Sequence, residues 1–369
     1  MKRALICFIM LLFIFSSCLS VSAVSTDQLL LDEGPEIEDY DFAMVFIPDF
    51  QVVTNWYPDN LHYIFDWIVD NAESKNIQYV IGLGDMTERS SYGEWWDVEE
   101  QVDRLNGVVP YALVRGNHDK TLDLNKFFPK DETPHIEGTY DCWINNSWRT
   151  VNMGGYDYLI MTLDYGADDD MLAWASGVIE EHPDHNVIIA THSYMFQDGT
   201  TLDAGDDCPP SLSGGYNDGD DMWEKLMKKH ANITLVISGH DHSDRIVYRQ
   251  DKGDHGNTVT QMLFDIQNRD LTTEGGVGAI AIAYFSDGGK KVQIEFYSTI
   301  LGKWFMEENQ LSVELYVVPT SYNPPVVEDE ANAFDWTAAN IAIVSGAFLI
   351  VLSAGFIILI YNGRRRTAT

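Results

Sequence analysis

Five apolar runs along this chain each end on a short polar motif, and that arrangement limits the fold more than any other feature. The motifs are Pro48-Asp49-Phe50-Gln51, Gly84-Asp85, Gly116-Asn117-His118-Asp119, Thr191-His192 and Gly239-His240-Asp241-His242. The runs before them, residues 42–47, 79–83, 111–114, 186–190 and 233–238, lack polar alternation and read as strands covered on both faces. Between the first three, residues 61–72 place Leu61, Phe65, Ile68 and Val69 at helical spacing, and residues 95–105 repeat the pattern. Alternating strand and helix predicts an α/β architecture, in which ligand groups gather at the carboxyl ends of the strands.

Further along, residues 148–164 read as a hairpin around Gly154-Gly155, 171–181 as a helix and 221–230 as a short helix. The stretch 198–221 is rich in Gly, Asp and Pro without a period, the character of a functional loop. Residues 259–314 look like several antiparallel strands, with Asp287-Gly288-Gly289 as a hairpin turn. There is no internal repeat.

The two ends differ from this core. Lys2 and Arg3, an apolar run from Ala4 to Phe15 and the small residues Val21-Ser22-Ala23 predict a signal peptide over 1–23. A lipid anchor through Ser16-Ser17-Cys18 fits less well, because Phe15 stands where such signals carry an aliphatic residue. An acidic lead follows over 24–41, then a catalytic domain over 42–316 and an acidic, Pro-containing stalk over 317–336. Residues 337–361 predict one transmembrane helix, since the uncharged stretch 341–361 is long enough to span a bilayer. A core helix or a processed sorting tail are the alternatives. Arg364-Arg365-Arg366 would hold the tail, 362–369, in the cytoplasm, making the chain a single-pass type I protein of the cell membrane with its main domain extracellular.

Formal net charge is −34, from 23 basic and 57 acidic residues. Removing Lys2, Arg3 and the three tail arginines leaves 18 basic residues against all 57 acids in 24–336, a net charge of −39. Such a field repels nucleic-acid backbones and anionic membranes, whereas small phosphorylated substrates fit if metals invert the potential locally. Only Cys142 and Cys208 lie beyond the signal peptide, and an oxidising exterior would allow one disulfide between them. Asn145-Asn146-Ser147 and Asn232-Ile233-Thr234 match glycosylation acceptors.

Each motif alone is a common turn sequence or a lone histidine. Together they supply Asp49, Gln51, Asp85, Asn117, His192, His240 and His242, oxygen and imidazole donors suited to two divalent metals beside a phosphate ester. In order and content they resemble the calcineurin-like metallophosphoesterase superfamily, whose pattern runs Asp-x-His, Gly-Asp, Gly-Asn-His-Asp/Glu, His, Gly-His-x-His, over about residues 42–300. The resemblance implies a four-layer αββα sandwich and two divalent metal ions, Mn, Zn, Fe or Mg. Asp49, Gln51 and His242 would hold one metal, Asn117, His192 and His240 the other, and Asp85 would bridge them. It further implies hydrolysis of phosphomonoesters or phosphodiesters by a metal-bridging hydroxide. His118 would contact the phosphate and protonate the leaving oxygen, with Asp119 orienting its imidazole.

Two positions depart from the pattern. Gln51 replaces a histidine, and its neutral amide oxygen is a weaker ligand for borderline metals, so the first metal would be exchangeable or biased toward Mn²⁺ or Mg²⁺. The competing reading is a surface binding protein that keeps the fold without the chemistry. Arg115 replaces a proline and would either neutralise substrate charge or form an ordinary surface ion pair. Trp56, Tyr57, Trp95, Trp96, Tyr194, Phe196 and Tyr216 follow the motifs and could form a stacking platform or pack in the core. The runs Asp168-Asp169-Asp170 and 203–207 lack calcium-loop spacing.

Overall fold

The computed structural model describes residues 30–213, 216–243, 245–266, 278–305 and 310–321. The predicted signal peptide 1–23, transmembrane helix 337–361 and tail 362–369 lie outside the described residues, as do 24–29 of the acidic lead and the stalk beyond 321. Among the described residues no helix is long and apolar enough to cross a membrane.

The strands are β1 (Leu30–Leu31), β2 (Phe42–Ile47), β3 (Ile77–Gly82), β4 (Tyr111–Leu113), β5 (Gly138–Thr139), β6 (Ser147–Met153), β7 (Tyr156–Leu163) and β8 (Asn186–Thr191). They continue with β9 (Ile233–Ser238), β10 (Val247–Lys252), β11 (Thr258–Leu263), β12 (Ala279–Ser286), β13 (Lys291–Ser298), β14 (Lys303–Phe305) and β15 (Gln310–Glu314). One sheet runs β1-β14-β13-β12-β2-β3-β4, with β15 pairing on β13, and the other runs β10-β11-β9-β8-β7-β6-β5. Within each sheet the strands that precede the site are parallel: β2, β3 and β4 in the first, β7, β8, β9 and β11 in the second.

All six residues of β2 are buried, and they alternate between two cores. Phe42, Met44 and Phe46 face the second sheet, packing with Ile188, Ala190, Leu235 and Ile237. Ala43, Val45 and Ile47 turn to the helices α2 (His62–Asn71) and α3 (Tyr92–Val102), meeting Ile64, Phe65, Ile68 and Trp95. On the far side, Leu159, Met161, Val187 and Ile189 pack on Leu172, Ala175, Val178 and Ile179 of the helix Asp169–Glu181. Helix, sheet, sheet, helix is the layering expected of uninterrupted apolar runs, since a strand covered on both faces needs apolar residues at every position.

Several elements differ from the sequence reading. Residues 259–314 divide between the sheets: β11 lies parallel to β9, whereas β12 to β15 form antiparallel pairs in the first sheet. The edge strand β10 was not predicted, because Tyr248, Arg249, Gln250 and Asp251 carry no apolar signal. The short helices α1 (Gln51–Trp56) and α4 (Thr121–Phe127) were also missed, being too short to show a period. Contacts reach beyond 42–316 on both sides. β1 pairs with β14, Gln293 Nε2 donates to the Glu36 carbonyl, and buried Ser321 Oγ accepts from Asn186 Nδ2 at 2.8 Å.

Candidate functional site

Every sequence-predicted donor lies just past the carboxyl end of a strand. Asp49 and Gln51 follow β2, Asp85 follows β3, Asn117 and His118 follow β4, His192 follows β8, and His240 and His242 follow β9. The two sheets bring these ends together around one cavity of about 320 Å³, lined by Gln51, Asp85, Asn117, His118, His240 and His242 among others. No lysine or arginine lines it among the described residues.

Two glycines permit the approach. A Cβ at Gly116 would fall on the Asp85 carboxylate, and a Cβ at Gly239 on that of Asp49. Asp85 and His240 themselves take left-handed backbone conformations, at φ 44 and 76, which ordinary residues adopt only under surrounding constraint. Asp85 receives that constraint from the His118 amide, which donates to its Oδ1 at 2.9 Å. His240's own amide donates to the Asp49 carboxylate at 3.2 and 3.3 Å.

Each histidine is oriented by the nitrogen it turns away from the centre. His192 Nδ1 donates to the Leu83 carbonyl at 2.9 Å, His240 Nε2 to the Cys208 carbonyl at 3.1 Å, and His242 Nδ1 to Asp265 Oδ2 at 2.9 Å. Facing inward, His192 Nε2 lies 2.9 Å from Asn117 Oδ1, 3.2 Å from His240 Nδ1 and 3.4 Å from Asp85 Oδ2. Ligand atoms of Asp85, His192 and His240 lie within 4.8 Å of one another, near enough to share one ion.

The electrostatics show a demand for positive charge. Burial by itself lowers an imidazole pKa, yet the carboxylates of Asp85 and Asp49 raise that of His192 to about 10. Burial likewise opposes ionisation of Asp85, but His192 and the His118 amide hold it below its ordinary value. Burial and the Asp265 carboxylate push Asp49 well above the usual range, while burial and His192 lower His240 to about 4. A proton on His192 thus balances the buried acids, a task a dication among the same donors performs better. Gln51 fits that reading. Its Nε2 donates to Asp85 Oδ2 at 3.2 Å, while its buried Oε1 has no hydrogen-bond partner among the described residues and is available as a hard oxygen ligand.

Four expectations change. Asp119 does not orient His118: its carboxylate accepts from the amides of Met86, Thr87 and Gly116 and from Thr87 Oγ1, at 2.8–3.1 Å, and so clasps the second and third motifs together. Burial pushes it up to about 6 in spite of those donors. The His118 imidazole is instead held through Nδ1 by the Glu88 carbonyl at 2.8 Å, with the Glu88 carboxylate at 3.8 Å. Arg115 is neither a surface pair nor on the wall of this cavity; it lines a separate one. Its guanidinium is largely buried, binds Asp164 and donates to the carbonyls of Gly116 and Asp119. Among the described residues none of these tryptophans, tyrosines and phenylalanines lines this cavity: Trp95 and Tyr194 are core residues, and Tyr216 lines a separate cavity. Cys142 and Cys208 are free thiols, so no disulfide joins them.

Asp265 escaped the sequence reading. It follows β11 at the same edge and is fully buried. The signal was there to use, because the run 259–264 closes on an acid as the other five close on their donors.

Residues 44–244 match the family model of the calcineurin-like phosphoesterases, more than half of this 369-residue chain. The chain belongs to that family, whose members are generally metal-dependent phosphoester hydrolases with a dimetal centre. It is similar to "Uncharacterized protein YvnB" of Bacillus subtilis (strain 168), 28% identical over 291 residues, covering 73% of this chain and 21% of the relative. A "Probable cyclic nucleotide phosphodiesterase" of Moraxella catarrhalis (strain BBH18) is 24% identical over 142 residues, covering 36% of this chain and 48% of the relative. The chain therefore spans less than half the length of either. Among solved structures, a purple acid phosphatase from yellow lupin (Lupinus luteus) seeds aligns at 12% identity and a TM-score of 0.49, over 74% of this chain and 53% of that one. A dimetal phosphatase from Danio rerio aligns at 13% identity and a TM-score of 0.48, over 75% and 99%.

Proposed function

We propose that this chain is a cell-surface hydrolase that cleaves phosphomonoesters or phosphodiesters with two divalent metals. The convergence of Asp85, His192 and His240 within one ion's reach, with Asn117 Oδ1 at 2.9 Å from His192 Nε2, carries the reading. Asp49, Gln51, Asp85 and His242 would hold the first metal, and Asp85, Asn117, His192 and His240 the second. When bound, such a pair would supply Lewis acidity toward the phosphoryl oxygens and would lower the pKa of water enough to make it a nucleophile at neutral pH.

The chain's own residues do the rest. Asp85, common to both donor sets, would serve both ions. His118 lines the cavity with its Nδ1 engaged by Glu88, which makes Nε2 the atom that can meet the ester and pass a proton to the leaving oxygen. With no lysine or arginine on the wall among the described residues, the substrate's negative charge would be met by the metals and His118. Small esters suit that arrangement better than polyanions. The name of the Moraxella relative places cyclic phosphodiesters first on the substrate panel.

The test is a panel of chromogenic mono- and diesters with the purified chain, before and after chelation and with Mn²⁺, Zn²⁺, Fe²⁺ or Mg²⁺ restored. Turnover that chelation abolishes and one of these metals restores supports the reading. Gln51 favours the second reading, a binding protein with a weak first site, and metal analysis showing one ion or none with no turnover would establish it. The signal peptide and transmembrane helix expected from the sequence of 1–23 and 337–361 would put the domain outside the cell, and protease treatment of intact cells that removes the domain is the corresponding test.

A further inference from the structure

Asp265 lies outside the matched region, which ends at residue 244, and outside all five motifs. It is nevertheless built into the site. Strand pairing extends past β11, where the Phe264 amide donates to the Ser238 carbonyl at 2.9 Å and the Ser243 amide to the Asp265 carbonyl at 2.9 Å. These bonds clasp Asp265 against the loop that carries His240 and His242. Its carboxylate is wholly buried, and through Oδ2 it accepts from Nδ1 of a half-exposed imidazole, His242, at 2.9 Å.

The three histidines differ in this respect. His192 and His240 are oriented by backbone carbonyls, and His242 by a carboxylate. A charged acceptor makes a stronger hydrogen bond than a neutral one and raises the donor strength of the opposite ring nitrogen toward a metal. With Nδ1 engaged, Nε2 is the His242 atom that can serve as ligand. His242 shares its metal with Gln51, the one neutral oxygen where an imidazole would bind more strongly. The strengthened histidine and the weakened position therefore belong to the same ion.

We propose that Asp265 is a positioning residue for His242 and that it makes up, at the first metal, for the donor strength that Gln51 lacks. This rests on the two-metal reading above. Asp265 raises the affinity of that ion by holding the ring in one orientation and one tautomer, and it adds negative charge one layer beyond the ligands.

Calorimetric titration of the chelator-stripped full chain with Mn²⁺ tests the idea. Asp265→Asn should weaken one of two sites roughly ten- to a hundredfold and leave the other within about twofold. Gln51→His in the Asp265→Asn background should recover most of that loss. Equal weakening of both sites, no weakening, or no rescue overturns the proposal. Should Asp265→Asn not fold, Gln51→His in the native background decides. A first-site gain under about threefold supports compensation by Asp265, and a gain above about tenfold overturns it. Failure of the native chain to bind any metal would sink the two-metal reading together with this one, whereas two-site binding indifferent to Asp265 sinks this one alone.

Discussion

The two sheets supply opposite chemistries to the same edge. From β2, β3 and β4 come the candidate oxygen ligands Asp49, Gln51, Asp85 and Asn117; from β8 and β9 come the candidate imidazole ligands His192, His240 and His242. Neither sheet holds a complete donor set for either ion. The acids of the first sheet raise His192 to about 10, and His192 in turn helps to hold Asp85 low, so each half carries charge that the other needs. Such a site exists only when the sheets are packed, and metal binding is therefore tied to folding.

The largest effect should come from removing the shared oxygen ligand. Asp85→Asn is expected to lower turnover at least about a thousandfold, with metal analysis finding fewer than two ions per chain. Activity within tenfold of the native chain with both metals retained would break the assignment of the bridging role to the first sheet.

His118 is the imidazole on the oxygen side, and the comparison is sharpened by separating it from the three in the second sheet. His118→Ala should slow hydrolysis roughly a hundred- to a thousandfold while both metals stay bound, with the loss greatest for esters of poor leaving groups. Metal loss on this substitution would make it a ligand instead.

The junction itself is tested at Gly239, on the second sheet, where an added Cβ strikes Asp49 of the first. Gly239→Ala should cost about 1–3 kcal/mol of stability and loosen the first metal, read by denaturant melts and Mn²⁺ titration. An unchanged melt would mean the sheets have slack at this contact.

The smallest effect on activity is expected at Glu295, on β13 of the first sheet. Unlike Asp265, whose partner is an imidazole, this buried acid has the neutral Tyr284 hydroxyl donating to Oε1 at 2.7 Å, and its Oε2 has no partner among the described residues. Burial pushes its pKa up from an ordinary 4.5 to about 7, although Tyr284 and Lys75 oppose the rise. A folded pKa above the unfolded one means that the stability associated with the proton is full below pH 4.5 and is lost as pH rises through about 7. Glu295→Gln should therefore match the native chain near pH 4 and exceed it near pH 8 by on the order of 2–3 kcal/mol, with turnover unchanged. A parallel pH dependence in both chains would remove Glu295 as its source.

Much of the fold could be read from residue pattern, because burial on both faces forces apolar runs such as 42–47 and 235–237, and a buried run that ends must end at the sheet's edge. The donors were visible for the same reason. Asp265 obeyed the rule too but was passed over, since its strand sits among segments that look antiparallel and its partner β9 is 20 residues upstream. Asp119 was misassigned because adjacency in sequence says little about which neighbour a buried carboxylate will accept from. Its donors proved to be Met86 and Thr87, about 30 residues earlier, and Gly116.

By itself the sequence determined the strand ends, the donor types and the family, since each depends on local pattern and on chemistry carried by single residues. Only the tertiary structure decided the partners: that the Leu83 and Cys208 carbonyls and the Asp265 carboxylate each engage one ring nitrogen, that Glu88 holds His118, and that Gln51 leaves a buried oxygen without a hydrogen-bond partner among the described residues. Hydrogen-bond partners across two packed sheets depend on distances of a few tenths of an ångström between segments far apart in the chain. No periodicity or motif spacing encodes those distances.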